Sequence, residues 1–514
     1  MSSNFRRGNQ NRVAPKSQGR EFPSQTLVSG HSQRDFRFIP STSTVATSFD
    51  EGPKRSHVPV NRGVPTSSSK GAFGDREKDS AASSFTAGQA DQSSASSVED
   101  YDAPVDKARG KHRFKSYQLD GKYDQPWVSD PRMNRTRWNN WILRAFMFIG
   151  VALSAYICFS ATQTVGKHSY CLVYQDDFKT LDTNVWTHEV QIDGFGNGCF
   201  DWTTTDSKNS YVDATGLHIV PTLTNETTTL TNEQILNGGK LNLTKSAGDG
   251  TCTGTELRSC AIASNSTTGR MLPPVRSARL TTKGKKSIRY GKVEVVAKMP
   301  RGDWIWPAIW MMPVDSKYGV WPRSGEIDIV ESRGNDVDYS PGGRDVLTST
   351  LHWGPTTIKD AFWRTTAGKN LRRDDFTNKF HTYGMEWTED YIYTYLDSQL
   401  VQVLFTGFKG QNLWDLGKFA TAEENKTLLA NPWPSKSLNA PFDQDFYLIL
   451  NVAVGGINGW FPDGIDAKPW LNAADSPQRD FYKGVDTWLP TWGEGDKRGM
   501  TVRSVKMWQQ GACS

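Results

Sequence analysis

The chain has 514 residues, room for two or three domains, but its residues are unevenly distributed and only the second two thirds reads as globular. A net charge of +5 is small for this length and excludes both a nucleic-acid binder and an acidic-tail protein. Nineteen tryptophans are a heavy load: sugar rings stack on indole faces, and core packing accounts for many of them equally well.

From Met1 to about Lys107 the sequence is Ser, Gly, Gln, Thr and charge with few apolar residues. Such a segment cannot bury enough apolar surface to offset its backbone entropy, so disorder is predicted. Arg6, Arg7 and Arg12 offer contacts to RNA or acidic lipid, against the simpler reading of a solvated tail or sorting signal. Between Trp141 and Ala161 lies the one long apolar run, with no charged residue from Ala145 to Ala161. About 21 residues at roughly 1.5 Å each reach about 31 Å, the thickness of a hydrocarbon core. Arg132, Arg135, Arg137 and Arg144 precede its uncharged core and Lys167 alone follows it closely, which by the positive-inside rule puts the tail in the cytosol. The run starts too far from the N-terminus for an ordinary cleaved signal peptide. The expected organisation is a disordered cytosolic tail over 1–140, a signal anchor over 141–161 in single-pass type II topology, and a luminal or extracellular domain over 162–514; a buried core helix is the alternative.

N-glycosylation sequons fall mostly after the span, at Asn225, Asn242, Asn265 and Asn425, with one before it at Asn134. Cys158 lies within the span, leaving Cys171, Cys199, Cys252, Cys260 and Cys513 on the oxidising side. Cys252 and Cys260 are near enough to close a short loop, Cys171 could tie the first strand of the domain to its last through Cys513, and one cysteine is left over. There is no Cys-x-x-Cys and the eight histidines are scattered, so neither metal nor cofactor is expected.

From Tyr170 onward short alternating or β-branched runs recur, at 290–297, 380–387, 391–396, 447–454 and 500–507, separated by Gly, Pro and Asn turns. No amphipathic helices alternate with them, so a parallel sheet is excluded. An all-β, two-sheet antiparallel jelly-roll sandwich fits. The polar segments 222–267 and 409–444 read as surface insertions at the ends of a cleft.

The stretch Gly325-Glu326-Ile327-Asp328-Ile329-Val330-Glu331-Ser332-Arg333-Gly334-Asn335 places three carboxylates in a β-branched run. Strand alternation puts Glu326 and Asp328 on one face and Glu331 on the other. One extra residue at Ile329-Val330, a β-bulge, would return Glu331 to the same face. Three aligned acids are costly unless used. The use inferred is glycoside hydrolysis or transfer, which retaining enzymes perform with two carboxyl groups roughly 5 to 5.5 Å apart. Glu326 would be the nucleophile, Glu331 the general acid/base, and Asp328 the group that hydrogen-bonds Glu326 and helps raise the acid's pKa. A solvated strand face or a calcium ligand set would use the same spacing.

This stretch resembles the bulged Glu-x-Asp-x-x-Glu signature of family 16 glycoside hydrolases, as in β-1,3-glucanases (laminarinases). The resemblance runs from about Tyr170 to Cys513 and includes Ser277-Ala278-Arg279-Leu280, Trp306-Pro307-Ala308-Ile309-Trp310, Leu351-His352-Trp353-Gly354, Asn451-Val452-Ala453-Val454-Gly455-Gly456 and Asn458-Gly459-Trp460-Phe461-Pro462-Asp463. It is closest to the branch shared with animal β-1,3-glucan recognition proteins, many of which have lost the catalytic acids that this chain keeps. It implies a concanavalin A-like jelly roll with a concave, glycan-binding face, no cofactor, and a β-glucan polysaccharide as partner. Trp306, Trp310, Trp321 and Trp353 become candidate sugar-stacking residues, with His352, Asn451, Trp460 and Arg279 as further substrate contacts; each has a core or surface role as its alternative. Three functions follow as expectations: a membrane-anchored β-1,3-glucan endo-hydrolase or transglycosylase, a non-catalytic β-glucan lectin or receptor, and a factor in cell-wall β-1,6-glucan assembly like fungal type II proteins of this family.

Overall fold

The computed structural model describes residues 118, 120–164, 168–421, 423–424 and 426–513. Residues 1–117 of the tail expected to be disordered lie outside the described residues, as does the sequon residue Asn425; the last part of that tail is ordered, with a short turn of helix at Pro126–Ser129 and the start of a long helix at Met133. The apolar run forms one helix, α1 (Met133–Thr164), longer at both ends than the predicted span. Its Met133–Thr162 part is long and apolar enough to cross a membrane, and none of its most apolar window is buried. A buried core helix is thereby set aside.

The domain is built from fifteen principal strands: β1 (Tyr170–Asp176), β2 (Thr187–His188), β3 (Ser210–Asp213), β4 (Gly216–Ile219), β5 (Arg279–Thr281), β6 (Gly291–Lys298), β7 (Ile305–Pro313), β8 (Glu326–Ser332), β9 (Val346–His352), β10 (Thr366–Asn370), β11 (His381–Trp387), β12 (Tyr391–Leu396), β13 (Gln402–Gly407), β14 (Phe446–Val454) and β15 (Met500–Gln510). They make two antiparallel sheets. The outer runs β13-β12-β11-β6-β15-β4-β3, with β1 also paired to β15; the inner runs β10-β9-β8-β7-β14-β5-β2. Sequential and distant strands are interleaved in both, the topology of a jelly-roll sandwich.

Period-two alternation decides which residues meet between the sheets. On β6 the residues Val293, Val295 and Ala297 point inward while Lys292, Glu294 and Val296 do not. On β14 the inward set is Phe446, Leu448, Leu450, Val452 and Val454, which leaves Tyr447, Ile449, Asn451 and Ala453 on the open face of the inner sheet. That open face is the surface on which the acids lie.

Two segments differ from expectation. Within 222–267, Leu243, Cys252 and Cys260 pack with Val190, Ile192 and Trp202, and Ile235 packs with Met271, Leu272 and Tyr482. The segment is a small packed lobe with its own cores. From 409–444, Leu413, Trp414, Phe419, Trp433 and Phe442 join the main core. Apolar residues spaced out among polar ones carry no periodic signal, and only the tertiary fold gathers them.

Two disulfides close, Cys171–Cys513 and Cys252–Cys260, and Cys158 and Cys199 are free. The first ties β1 to the segment after β15, at a sequence separation of 342. A Cys171→Ser/Cys513→Ser chain is expected to lose about 2–5 kcal/mol of stability. Thermal unfolding should show a lower Tm than the parent in oxidising buffer and an equal one after reduction.

Candidate active site

β8 carries the three acids, and its pairing shows how they come to share a face. Asp328 pairs with Thr350 of β9 and Glu331 with Thr348, so three residue steps on β8 oppose two on β9. On the other side Trp310 pairs with Asp328 while Ile309 pairs with Val330. Ile329 and Val330 are thus a bulge, and both are buried in the core. The bulge returns Glu331 to the face of Glu326 and Asp328. Gly325 just before the strand has φ +82°, and a Cβ there would sit 3.0 Å from the Phe442 ring, so the turn into β8 demands glycine.

Asp328 and Glu331 are 2% and 9% exposed. Each outer acid has an indole donor. Trp306 Nε1–H donates to Glu331 Oε1 at 2.9 Å, and Trp321 Nε1–H donates to Glu326 Oε2 at 2.6 Å. His352 of β9 lies opposite Glu326 in register, with Nε2 at 3.3 Å from Asp328 Oδ2 and Nδ1 at 2.5 Å from Asp360 Oδ2. The other oxygen of Asp360 accepts from the backbone N–H of Trp353 and Phe362, which fixes it under the imidazole.

These contacts set the charges. Burial raises the pKa of all three acids, and repulsion from Asp328 on Glu326, from Glu331 on Asp328 and from Glu326 on Glu331 adds to it. Burial alone would lower the pKa of His352, but the hydrogen bonds to Asp328 and Asp360 outweigh it and hold the ring protonated well above its ordinary range. Burial and mutual repulsion together let the set retain a proton at a pH where free carboxyls have lost theirs. Such a set can supply a carboxylate and a carboxylic acid together. Oxygens of Glu326 and Asp328 and a nitrogen of His352 lie within 4.8 Å of one another, as metal ligands would. Both ring nitrogens of His352, however, face carboxylates, which suits an imidazolium better than a metal ligand.

The other candidate residues divide. Trp306 stacks on Trp460, ring centres 5.0 Å apart at 12°. Trp310 Nε1–H donates to Asn451 Oδ1 at 2.7 Å. Arg279 lies over the Trp310 ring at 4.7 Å and pairs with Glu189 at 2.5 Å, and the nearest carboxylate it engages is therefore not one of the three acids. Trp306, Trp310, Trp321, His352, Asn451, Arg279 and the acids share the open face of the inner sheet, with Trp460 on a loop. Trp353 does not. It is fully buried, donates Nε1–H to Thr365 Oγ1 at 2.8 Å, and packs its ring on Phe419 and Trp433. The reason is parity: on β9 His352 faces the cleft, so its neighbour must face the core.

Sequence reasoning missed two residues here. Asp360 sits in a polar loop with no strand signal of its own. Arg333, inside the conspicuous acid-rich stretch, lies 3.8 Å from the Trp460 ring centre and donates from Nε and Nη2 to the Trp460 carbonyl. Its place two residues after Glu331 was the available clue.

A two-sheet antiparallel sandwich with three acids and several tryptophans on the open face of one sheet defines a jelly roll. The chain belongs to the glycosyl hydrolases family 16: the profile of that family matches residues 222–440, and the Beta-1,3-glucan-binding protein of Penaeus monodon is 41% identical over 345 residues, 66% of this chain and 90% of that protein. Glucan endo-1,3-beta-glucosidase A1 of Niallia circulans is 30% identical over 60% of this chain and 36% of that protein. The chain spans about three fifths of the length of several insect relatives it matches. The X-ray structure of the laminarinase from Rhodothermus marinus is 24% identical, with a TM-score of 0.41, covering 68% of this chain and all of that one.

Because the folded site binds protons that the unfolded chain has released, stability falls as pH rises above the ordinary carboxyl range. Glu326→Gln removes one buried charge and should melt higher than the parent at pH 8, with the gap narrowing toward pH 5. Melting curves across that range check it.

Proposed function

We propose that this protein is a membrane-anchored, retaining β-glucan endo-hydrolase or transglycosylase acting on β-1,3-glucan of a cell wall. The observation that carries the reading is the bulged strand with Glu326, Asp328 and Glu331 on one face, each outer acid held by an indole N–H. In this reading Glu326 attacks the anomeric carbon and Glu331 protonates the leaving oxygen. A glycosyl-enzyme intermediate results, and Glu331 then deprotonates the incoming water or sugar hydroxyl. Asp328 lies between them and is paired to the His352 imidazolium, so proton and charge can redistribute locally between the two half-reactions. Trp306, Trp310, Trp321, Trp460, Asn451 and Arg279 would line subsites, with indole faces stacking on sugar rings. β-1,3-Glucan is chosen because the relatives above bear that linkage in their names.

The name of the Penaeus relative favours a second reading, a β-glucan lectin or receptor that uses the same cleft without turnover. One assay separates them. The detergent-purified chain is incubated with reduced laminari-oligosaccharides beside Glu326→Gln and Glu331→Gln, and products are read by mass. Shorter products mean hydrolysis and longer ones transfer, each variant falling about 10²–10⁴-fold. Equal inertness of all three with retained glucan binding would establish the lectin.

The organisation proposed with this function is a cytosolic tail over 1–140, a signal anchor at 141–161 within α1, and a luminal or surface domain over 162–514. Arg132, Arg135, Arg137 and Arg144 on one side of the uncharged stretch from Ala145 to Ala161 support that orientation. Two sequon residues, Asn242 and Asn265, are exposed on the domain. Chain expressed through a eukaryotic secretory pathway should shift to lower mass on treatment with an N-glycan-releasing enzyme, and Asn242→Gln/Asn265→Gln should shrink that shift. An unchanged mass would argue for the opposite orientation.

A further inference from the structure

The outer sheet turns an aromatic face to solvent at one end, and the anchor enters the domain there. By parity with core residue Ile392, Tyr391 and Tyr393 of β12 face outward. Their hydroxyls donate to Glu386 of β11 at 2.7 and 3.1 Å, and Glu386 is itself 6% exposed. Phe405 of β13, 59% exposed, stacks on Tyr391 with ring centres 5.9 Å apart. Lys292 Nζ stands 5.5 Å from the rings of both Tyr170 and Trp508. A register shift between Leu172 and Tyr174 leaves Leu172 and Val173 exposed on β1, at 45% and 39%. None of these groups belongs to the acid-bearing site.

The chain's path selects the occupant. His168 lies 6.3 Å from the rings of both Tyr170 and Tyr391, so the polypeptide meets the domain on this patch. In sequence only residues 165–167 separate it from Thr164, the end of α1. Four Cα steps span about 14 Å at most, about twice the headgroup layer on one side of a bilayer. Tyr, Trp and Lys are the residues that settle at that depth, rings in the interface and ammonium toward water.

We propose that this end of the outer sheet, formed by Tyr170, Leu172, Lys292, Tyr391, Phe405 and Trp508, docks on the headgroup layer of the bilayer that α1 itself spans. It rests on the membrane-anchor reading above. The docked outer sheet leaves the acid-bearing face, which belongs to the other sheet, open to polysaccharide.

The test uses the full chain carrying Cys158→Ala and Cys199→Ala, reconstituted in phosphatidylcholine–phosphatidylserine vesicles. A small fluorophore is placed at Phe405→Cys, at Lys409→Cys beyond the same strand, or at Ile358→Cys, an exposed loop position that follows β9. Lipids with a headgroup nitroxide should quench positions 405 and 409 about twofold or more, as interfacial residues require, and leave 358 unchanged. If the chain floats with the vesicles yet 405 and 409 are quenched no more than 358, the docking surface is overturned while the anchor stands. If it does not float with them, the anchor reading fails and takes this inference with it. In lipid-free detergent, a change at 405 that follows protein concentration would assign the patch to a second copy, and one that follows added laminari-oligosaccharide would assign it to sugar; either overturns the bilayer assignment.

Discussion

Three carboxylates held on one face of a strand inside a largely dehydrated cleft are the constraint to which the rest of this domain answers. Left alone, such groups would either take up protons or force the strand apart. The fold surrounds them with donors: two indole N–H groups, one for each outer acid, and an imidazole placed between Asp328 and Asp360. Each donor comes from a different part of the chain. Trp306 arrives on β7, Trp321 from the loop before β8, and His352 on β9. The site therefore exists only when the inner sheet is assembled in register.

Support extends outward from these donors. Trp306 is backed by the parallel ring of Trp460, which in turn lies on the Arg333 guanidinium. Arg333 is itself held by the carbonyls of Trp460, Pro341 and Gly342. His352 is backed on one side, with Phe362 stacked on its ring at 5.3 Å. Side chains locked by packing and by hydrogen bonds from behind can present charge without reorganising, which is what a site acting on developing charge needs. The bulge at Ile329-Val330 serves both purposes at once, sending two apolar residues to the core and one acid to the cleft.

The two sheets divide the labour. The inner one presents the acids and the tryptophan rings around them. The outer one seals the core with Val293, Val295, Met385, Trp387, Val505 and Met507, and its far surface carries the tyrosine, tryptophan and lysine patch beside the entering chain. The Cys171–Cys513 bridge secures β1 at that same end, so any load from the N-terminal helix passes into β15, an interior strand of the outer sheet.

Much of this was legible in order of residues alone. Strand runs betray themselves by period two, so the extent of β6, β11, β12, β14 and β15 could be read to within a residue or so at most ends. The bulge followed from parity once three acids in one strand had to be reconciled. The apolar run between Trp141 and Ala161 announced a long helix by its length alone, and only the structure showed that it is not buried. What the linear pattern could not decide depends on partners distant in sequence. Trp353 belongs to the core because its neighbour His352 takes the cleft, and a lone indole carries no mark of the side it will face. Asp360 and Arg333 acquire meaning only from what packs over them, an imidazole and an indole. The lobe around Cys252 and the Trp414–Phe419–Trp433 cluster gather apolar residues too widely spaced to show a period. Local alternation is a property of backbone geometry and is written in the sequence; the company a side chain keeps is set by the closing of two sheets, and only the tertiary structure decides it.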